Sequence, residues 1–198
     1  TGPQSYCKNF HPDYNTYITI HDLLLPTALN GDLTISFWLY LRNLGEGLRL
    51  NPIDKSYKGE FAITIESDGG LNFYQGKTNG GYIGRGLISG GTLKNNKWYH
   101  ITITRNTITK ELKGYLNGDL QRTKTYNEAV PRSSNPIVFG KGYTGNIING
   151  KLDEIRISTK VKIPESNPPG SPQDSRFWRK YSLMTQKSGF GRELDLSV

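Results

Sequence analysis

Several things are scarce in this chain, and each scarcity removes a class of protein. Cysteine occurs once, at Cys7, in 198 residues. No internal disulfide can form, and a chain of this length buries enough core not to need one. The lone thiol reads as buried or unreactive. Histidine occurs three times, at His11, His21 and His100, dispersed along the chain. No HExxH, CxxC, P-loop or Ser-His-Asp order organises them. No apolar run approaches the roughly 20 residues that a membrane span requires. No helical stripe of useful length precedes residue 160, which excludes a series of parallel βαβ units. The segment from Thr1 has no basic-then-apolar leader, so a trimmed or processed chain is expected.

Glycine (23), proline (10) and tyrosine (12) are plentiful, as is positive charge. Lys and Arg number 25 against 17 Asp and Glu, a net +8. Such a balance suits an anionic partner: nucleic acid, an acidic polysaccharide or an acidic surface in an assembly. The basic residues are scattered, however, with no basic run beyond Arg179-Lys180. That pattern is a solvated surface, and nucleic acid is not the expected partner.

Period two dominates the first 160 residues. Leu33, Ile35, Phe37 and Leu39 alternate with Thr34, Ser36, Trp38 and Tyr40, a strand with two distinct faces. Phe61, Ile63 and Ile65, a Ser67-Asp68-Gly69-Gly70 turn, then Leu71 and Phe73 predict a β-hairpin. Residues 98–105 form another strand, with Tyr99, Ile101 and Ile103 opposite His100, Thr102 and Thr104. Residues 112–116 lead through Asn117-Gly118-Asp119 into a strand near Leu120. Residues 136–140 and 150–158 are two more strands. In the last, Asp153, Ile155 and Ile157 are expected on one face, with Leu152, Glu154 and Arg156 on the other. The glycine-rich residues 79–91, with Tyr82 and Arg85, read as a rim loop. The fold expected is all-β: an antiparallel two-sheet sandwich or jelly roll over residues 1–160.

Residues 161–198 differ. Pro164, Pro168, Pro169 and Pro172 mark an extended linker. Phe177, Trp178, Tyr181, Leu183 and Met184 then form an apolar cluster among basic residues. Such a tail is expected either to pack back on the sandwich or to dock on neighbouring protein subunits.

Four motifs in order resemble those of laminin-G-like, concanavalin A-like jelly-roll domains: Thr34-Ile35-Ser36-Phe37-Trp38-Leu39, Lys97-Trp98-Tyr99-His100-Ile101, Tyr115-Leu116-Asn117-Gly118, and Phe139-Gly140 followed by residues 149–157. The resemblance covers roughly residues 15–160 and implies the two-sheet sandwich reached above, with Trp98 as a packing residue. It also implies one structural Ca²⁺ at the sandwich edge. By position its acid would be Asp153, with a second donor from Asp13 or Asn15. The competing reading has Asp153 capping a turn or bonding a neighbouring backbone. Sugar binding in this superfamily uses rim loops or a concave sheet. Trp38, Tyr40, Tyr74 and Tyr115 lie on the polar phase of their strands, where rings suit pyranose faces. Asn72 and Asn117 would be their hydrogen-bonding neighbours, with Tyr82 and Arg85 on the rim. Ordinary packing of the second face is the alternative.

Glycosidases of the superfamily carry paired acids in a pattern like E-x-D-x-x-E, which this chain lacks. Asp153 and Glu154 are adjacent, and Glu60 and Glu66 bracket a core strand. No catalytic residue is therefore assigned. The expected function is a non-catalytic recognition module for a glycan or another cell-surface ligand, on an extracellular or virion surface such as an adhesin or fibre. The alternative is a virion structural protein, a capsid decoration or fibre protein whose tail docks on its neighbours without binding sugar.

Overall fold

The computed structural model describes residues 7–22, 28–164 and 193–195. Two antiparallel sheets face each other. The seven-stranded sheet contains β1 (Lys8–Phe10), β3 (Leu33–Asn43), β8 (Trp98–Asn106), β9 (Glu111–Leu116), β10 (Asp119–Thr125), β12 (Asn149–Ser158) and β13 (Glu193–Asp195). Its order is β1-β12-β3-β8-β9-β10, with β13 also paired to β12. The six-stranded sheet runs β2 (Ile18–Ile20), β11 (Ile137–Phe139), β4 (Leu50–Lys55), β5 (Phe61–Ile65), β6 (Leu71–Gly76), β7 (Tyr82–Ile88). Runs of consecutive neighbours alternate with long returns: β12 sits between β1 and β3, as a jelly roll requires.

The alternation read from the sequence places the core. Leu33, Ile35, Phe37 and Leu39 from β3 and Ile101 and Ile103 from β8 point inward, against Phe61, Ile63, Ile65, Leu71 and Phe73 of the other sheet. All are essentially inaccessible to water. Burying each such side chain favours folding by about 1.5–3 kcal/mol, so the inter-sheet layer dominates stability. Asn117 and Gly118 both adopt positive φ in the β9–β10 turn, as the Asn-Gly pair predicted.

Two expectations need correction. Residues 79–91 are not mainly a loop: Tyr82–Ile88 is edge strand β7, paired to β6. The facing in β12 is also different, because a bulge between Asp153 and Arg156 places Glu154 at φ 44° and resets the alternation. Leu152, Ile155 and Ile157 all join the core, and Asp153 turns to the outer face. Trp98 lies outside the core, half-buried on the outer face of the seven-stranded sheet, where its ring meets Tyr40 at 5.4 Å. The aromatic cluster of residues 177–184 lies outside the described residues.

One end of the sandwich is closed by ions. Lys55 is fully buried at the end of β4 and binds Asp22 at 2.7 Å and Glu60 at 3.4 Å. Its ammonium also donates to the carbonyls of Ser133 and Asn135. Arg105, equally buried, donates to the carbonyls of Gly31, Glu60 and Leu29. A buried cation survives only when its donors are satisfied in this way. Lys55 thereby anchors the segment that enters β11, which borders the site below.

Candidate functional site

The outer face of the six-stranded sheet carries a row that crosses five strands in register: Val138, Asp54, Ala62, Tyr74 and Gly84. Cross-strand partners share a face, so these five positions lie side by side. Ala62 and Gly84 add almost no bulk. A Cβ at Gly84 would sit 2.5 Å from the Tyr74 ring, so the missing side chain is what lets that ring lie on β7.

Asp54 organises what stands over this row. Its Oδ1 accepts the Ser56 N–H and its Oδ2 the Tyr143 N–H, both at 2.6 Å. The first bond holds the short helical turn Ser56–Glu60, which carries Tyr57. The second holds the loop after β11, which carries Tyr143. That loop can lie close because Gly142 has no Cβ, which would fall 2.4 Å from the Asn51 side chain and 2.5 Å from Asp54 Oδ2. Thr144 Oγ1 donates to Asn51 Oδ1 at 2.8 Å, and the Tyr143 hydroxyl reaches Thr64 Oγ1 at 3.3 Å. Burial pushes the Asp54 carboxyl above its ordinary value, against the opposing pull of its two N–H donors.

These placements close a cycle of four tyrosines. Ring centroids are 5.9 Å apart for Tyr74–Tyr82, 5.2 Å for Tyr82–Tyr57, 4.4 Å for Tyr57–Tyr143 and 6.1 Å for Tyr143–Tyr74. The separations and tilts are those of favourable aromatic pairs. Tyr82 remains 50% exposed and Tyr143 36%. Beside the cycle opens a cavity of about 400 Å³, lined by Tyr17, Asp54, Tyr57, Lys141 and Tyr143 among others. Its size falls in the range of small-molecule sites.

Polar wiring fixes the far side of Tyr74. The Arg49 guanidinium grips Glu66 with Nε–Oε2 at 2.8 Å and Nη2–Oε1 at 2.7 Å, and also donates to the Tyr74 hydroxyl. Asn72 Nδ2 donates to Glu66 Oε1 at 2.5 Å. Glu66 holds the Arg49 proton more firmly than usual.

The sequence-predicted ligand residues divide between opposite sides of the molecule. Asn72, Tyr74 and Tyr82 belong to the face just described. Arg85 is in register with the inward-facing Phe73, and its Nε donates across the sandwich edge to the Thr125 carbonyl at 3.0 Å. Trp38, Tyr40 and Tyr115 lie on the outer face of the seven-stranded sheet. There Trp38 is 5% exposed and Tyr115 6%. Asn117 spends its side-chain oxygen on the His100 N–H at 2.9 Å. Sequence reasoning missed Tyr17, Tyr57, Tyr143, Arg49, Asp54 and Lys141. Five of these six, all but Asp54, sit outside the named strands, so period two carried no signal for them.

The structure does not bring together Asp153 and Asp13, the residues expected to hold Ca²⁺. Asp153 Oδ1 accepts the Glu154 N–H within the bulge at 2.8 Å, while Oδ2 is buried with no partner among the described residues. Its neighbours in register are Trp38 and then His100, which offer nitrogen rather than oxygen. Asp13, with its side chain 81% exposed, lies past Phe10, and Phe10 pairs with Gly150. Asn15 closes the same short turn. Ca²⁺ takes roughly six to eight oxygens. Among the described residues no three His, Cys, Asp or Glu side chains converge.

The acids considered for hydrolysis do not flank a groove either. Glu60 is buried against Lys55. Glu66 lies beyond the other end of β5, about 20 Å away at strand spacing. Glycosidase carboxyls stand roughly 5–10 Å apart.

Comparison with known proteins agrees with this architecture. The family model described as the concanavalin A-like lectin/glucanases superfamily matches residues 12–166. The chain belongs to that superfamily. No curated protein matches the sequence. Among solved structures, it is similar to the binding domain of Paraclostridial Mosquitocidal Protein 1 (23% identity, TM-score 0.61, 75% of this chain and 38% of that one). It is also similar to a Bacteroides ovatus protein with a provisional carbohydrate-binding assignment (17%, TM-score 0.60, 79% and 44%). A third is botulinum neurotoxin type C, which enters cells dependent upon interaction with two ganglioside molecules (22%, TM-score 0.56, 74% and 36%). The chain thus spans less than half the length of each, and the likeness concerns the fold.

Proposed function

We propose that the protein is a non-catalytic recognition module that binds a saccharide in the tyrosine-lined cavity of the six-stranded sheet. The observation that carries this reading is the closed cycle of Tyr57, Tyr74, Tyr82 and Tyr143 beside a cavity of about 400 Å³. Tyrosine rings present flat apolar faces with a polar tip, which suits the C–H face of a pyranose and its hydroxyls together. The surrounding hydrogen bonds fix two of the rings before any ligand arrives, so little ordering entropy is lost on binding. The module would act outside the cell, as part of a larger surface-binding protein. Carbohydrate and ganglioside binding by proteins of the same fold supports that setting by analogy.

A glycan array probed with the purified protein tests the reading. Selective binding, lost by more than about tenfold in Tyr57→Ala and Tyr143→Ala but retained in Tyr115→Phe on the opposite face, is expected. A flat array, or binding that only the opposite-face variant disturbs, would discard it.

A further inference from the structure

The charges around the cavity point to a narrower ligand class. Glu66 is neutralised by the two-pronged Arg49 contact. Asp54 is buried, and both of its oxygens are taken by backbone N–H groups. Two lysines remain. Lys141 lines the cavity with its ammonium 4.8 Å from the Tyr17 ring centre. Lys58 holds its ammonium 5.5 Å from the Tyr57 ring centre. Neither is among the salt bridges of the described residues, whereas Lys55, Lys77 and Lys113 each have a carboxylate within 4.0 Å.

An ammonium parked over an aromatic face is held in place by the ring quadrupole while its N–H donors stay available. Lys141 on the cavity wall and the exposed Lys58 beside the lining residue Tyr57 leave this part of the face with unspent positive charge. A neutral sugar would use the rings and leave both lysines unengaged. A carboxylate on the sugar would engage them through charge-assisted hydrogen bonds. Resting on the saccharide-binding reading above, we propose that the cavity selects an acidic, carboxylate-bearing saccharide, with Lys141 and Lys58 as its specificity-determining cations.

The test uses an array of neutral, sialylated, uronate-containing and sulfated oligosaccharides. Titration calorimetry then follows on the strongest carboxylated hit and on its neutral methyl ester. Wild type should prefer the acid by about tenfold or more. Lys141→Met and Lys58→Met should each erode that preference, leave binding of the ester unchanged, and weaken the salt dependence of acid binding. Lys151→Met, whose ammonium lies over the Tyr40 ring on the outer face of the opposite sheet, should change neither. Equal affinity for acid and ester, or an unaltered preference in both cavity variants, would overturn the acidic specificity while leaving saccharide binding intact. The same holds if sulfated sugars alone bind. An array without any signal would instead remove the underlying reading, and this one with it. Circular dichroism of each variant confirms that the sandwich has folded, so a misfolded protein is not scored as a loss of specificity.

Discussion

The two outer faces of the sandwich carry aromatic residues in the same strand phase, yet they are built in opposite ways. On the seven-stranded sheet, Asp153, Trp38 and His100 stand in one row across β12, β3 and β8. Trp38 and His100 are 5% and 8% exposed, with rings 5.2 Å apart. Trp38 Nε1, His100 Nδ1, Thr102 Oγ1 and Asp153 Oδ2 are all buried without a hydrogen-bond partner among the described residues. On the six-stranded sheet, Tyr74, Tyr82 and Tyr143 are partly exposed, and Tyr74 and Tyr143 have hydroxyls wired to named partners. The first face behaves energetically as core. The second behaves as a prepared surface. An aromatic residue on the polar phase of a strand is therefore not enough to mark a site; access and satisfied polar atoms separate the two cases.

Substitution at equivalent ring positions should expose that contrast most strongly. Trp38→Ala is expected to lower unfolding free energy by about 3–5 kcal/mol, because a large buried side chain leaves a cavity. Tyr82→Ala, at a half-exposed ring, should cost about 1 kcal/mol or less. Urea denaturation midpoints measure both. Equal losses would erase the distinction between the faces.

Acid should act on the same buried row. Burial, reinforced by the Arg156 charge, pushes His100 down to about 4. The unfolded chain takes up this proton near pH 6.5, and the folded chain does so only near pH 4. Stability from this residue is complete above the higher value and falls as pH drops through the window, by about 3 kcal/mol. Asp153 works in the opposite sense. Its carboxyl is raised by burial, so the burden of its buried charge is relieved as pH falls. His100→Gln should flatten the slope of stability between pH 6.5 and 4. An unchanged slope would show that His100 is not buried in its neutral form.

Much of the scaffold is readable from residue order. Strict alternation in β3 and β5 gives the core directly, and Asn117-Gly118 gives its hairpin. Alternation fails where the backbone departs from a flat strand. In β12 a single αL residue, Glu154, inverts the phase, and nothing in the side-chain pattern announces it. In β7, Gly84 and Gly86 look like a loop because their side chains are absent, yet that absence is what makes room for Tyr74 and Asn72. The site was half legible for a related reason. Tyr74 and Tyr82 sit on strands, whereas Tyr57 and Tyr143 reach the same face from a turn and a loop. Both depend on the carboxylate of Asp54, whose contacts are long-range or local accidents of the turn that no periodicity encodes.

The smallest expected effect concerns the Arg49 clamp. The Arg49 side chain is 42% exposed, so its ion pair with Glu66 should add about 1 kcal/mol or less to stability. Arg49→Met keeps most of the aliphatic stem and removes the fork. Tyr74 would lose one hydroxyl partner but keep its place over Gly84, held by the ring contacts to Tyr82 and Tyr143. Thermal unfolding should shift by a few degrees at most, and saccharide affinity should fall by only about two- to threefold. A loss as large as that in Tyr57→Ala would mean that the polar wiring, and not the exposed rings, creates the binding surface. The outer faces would then differ in how their hydrogen bonds are satisfied rather than in how far their rings reach solvent.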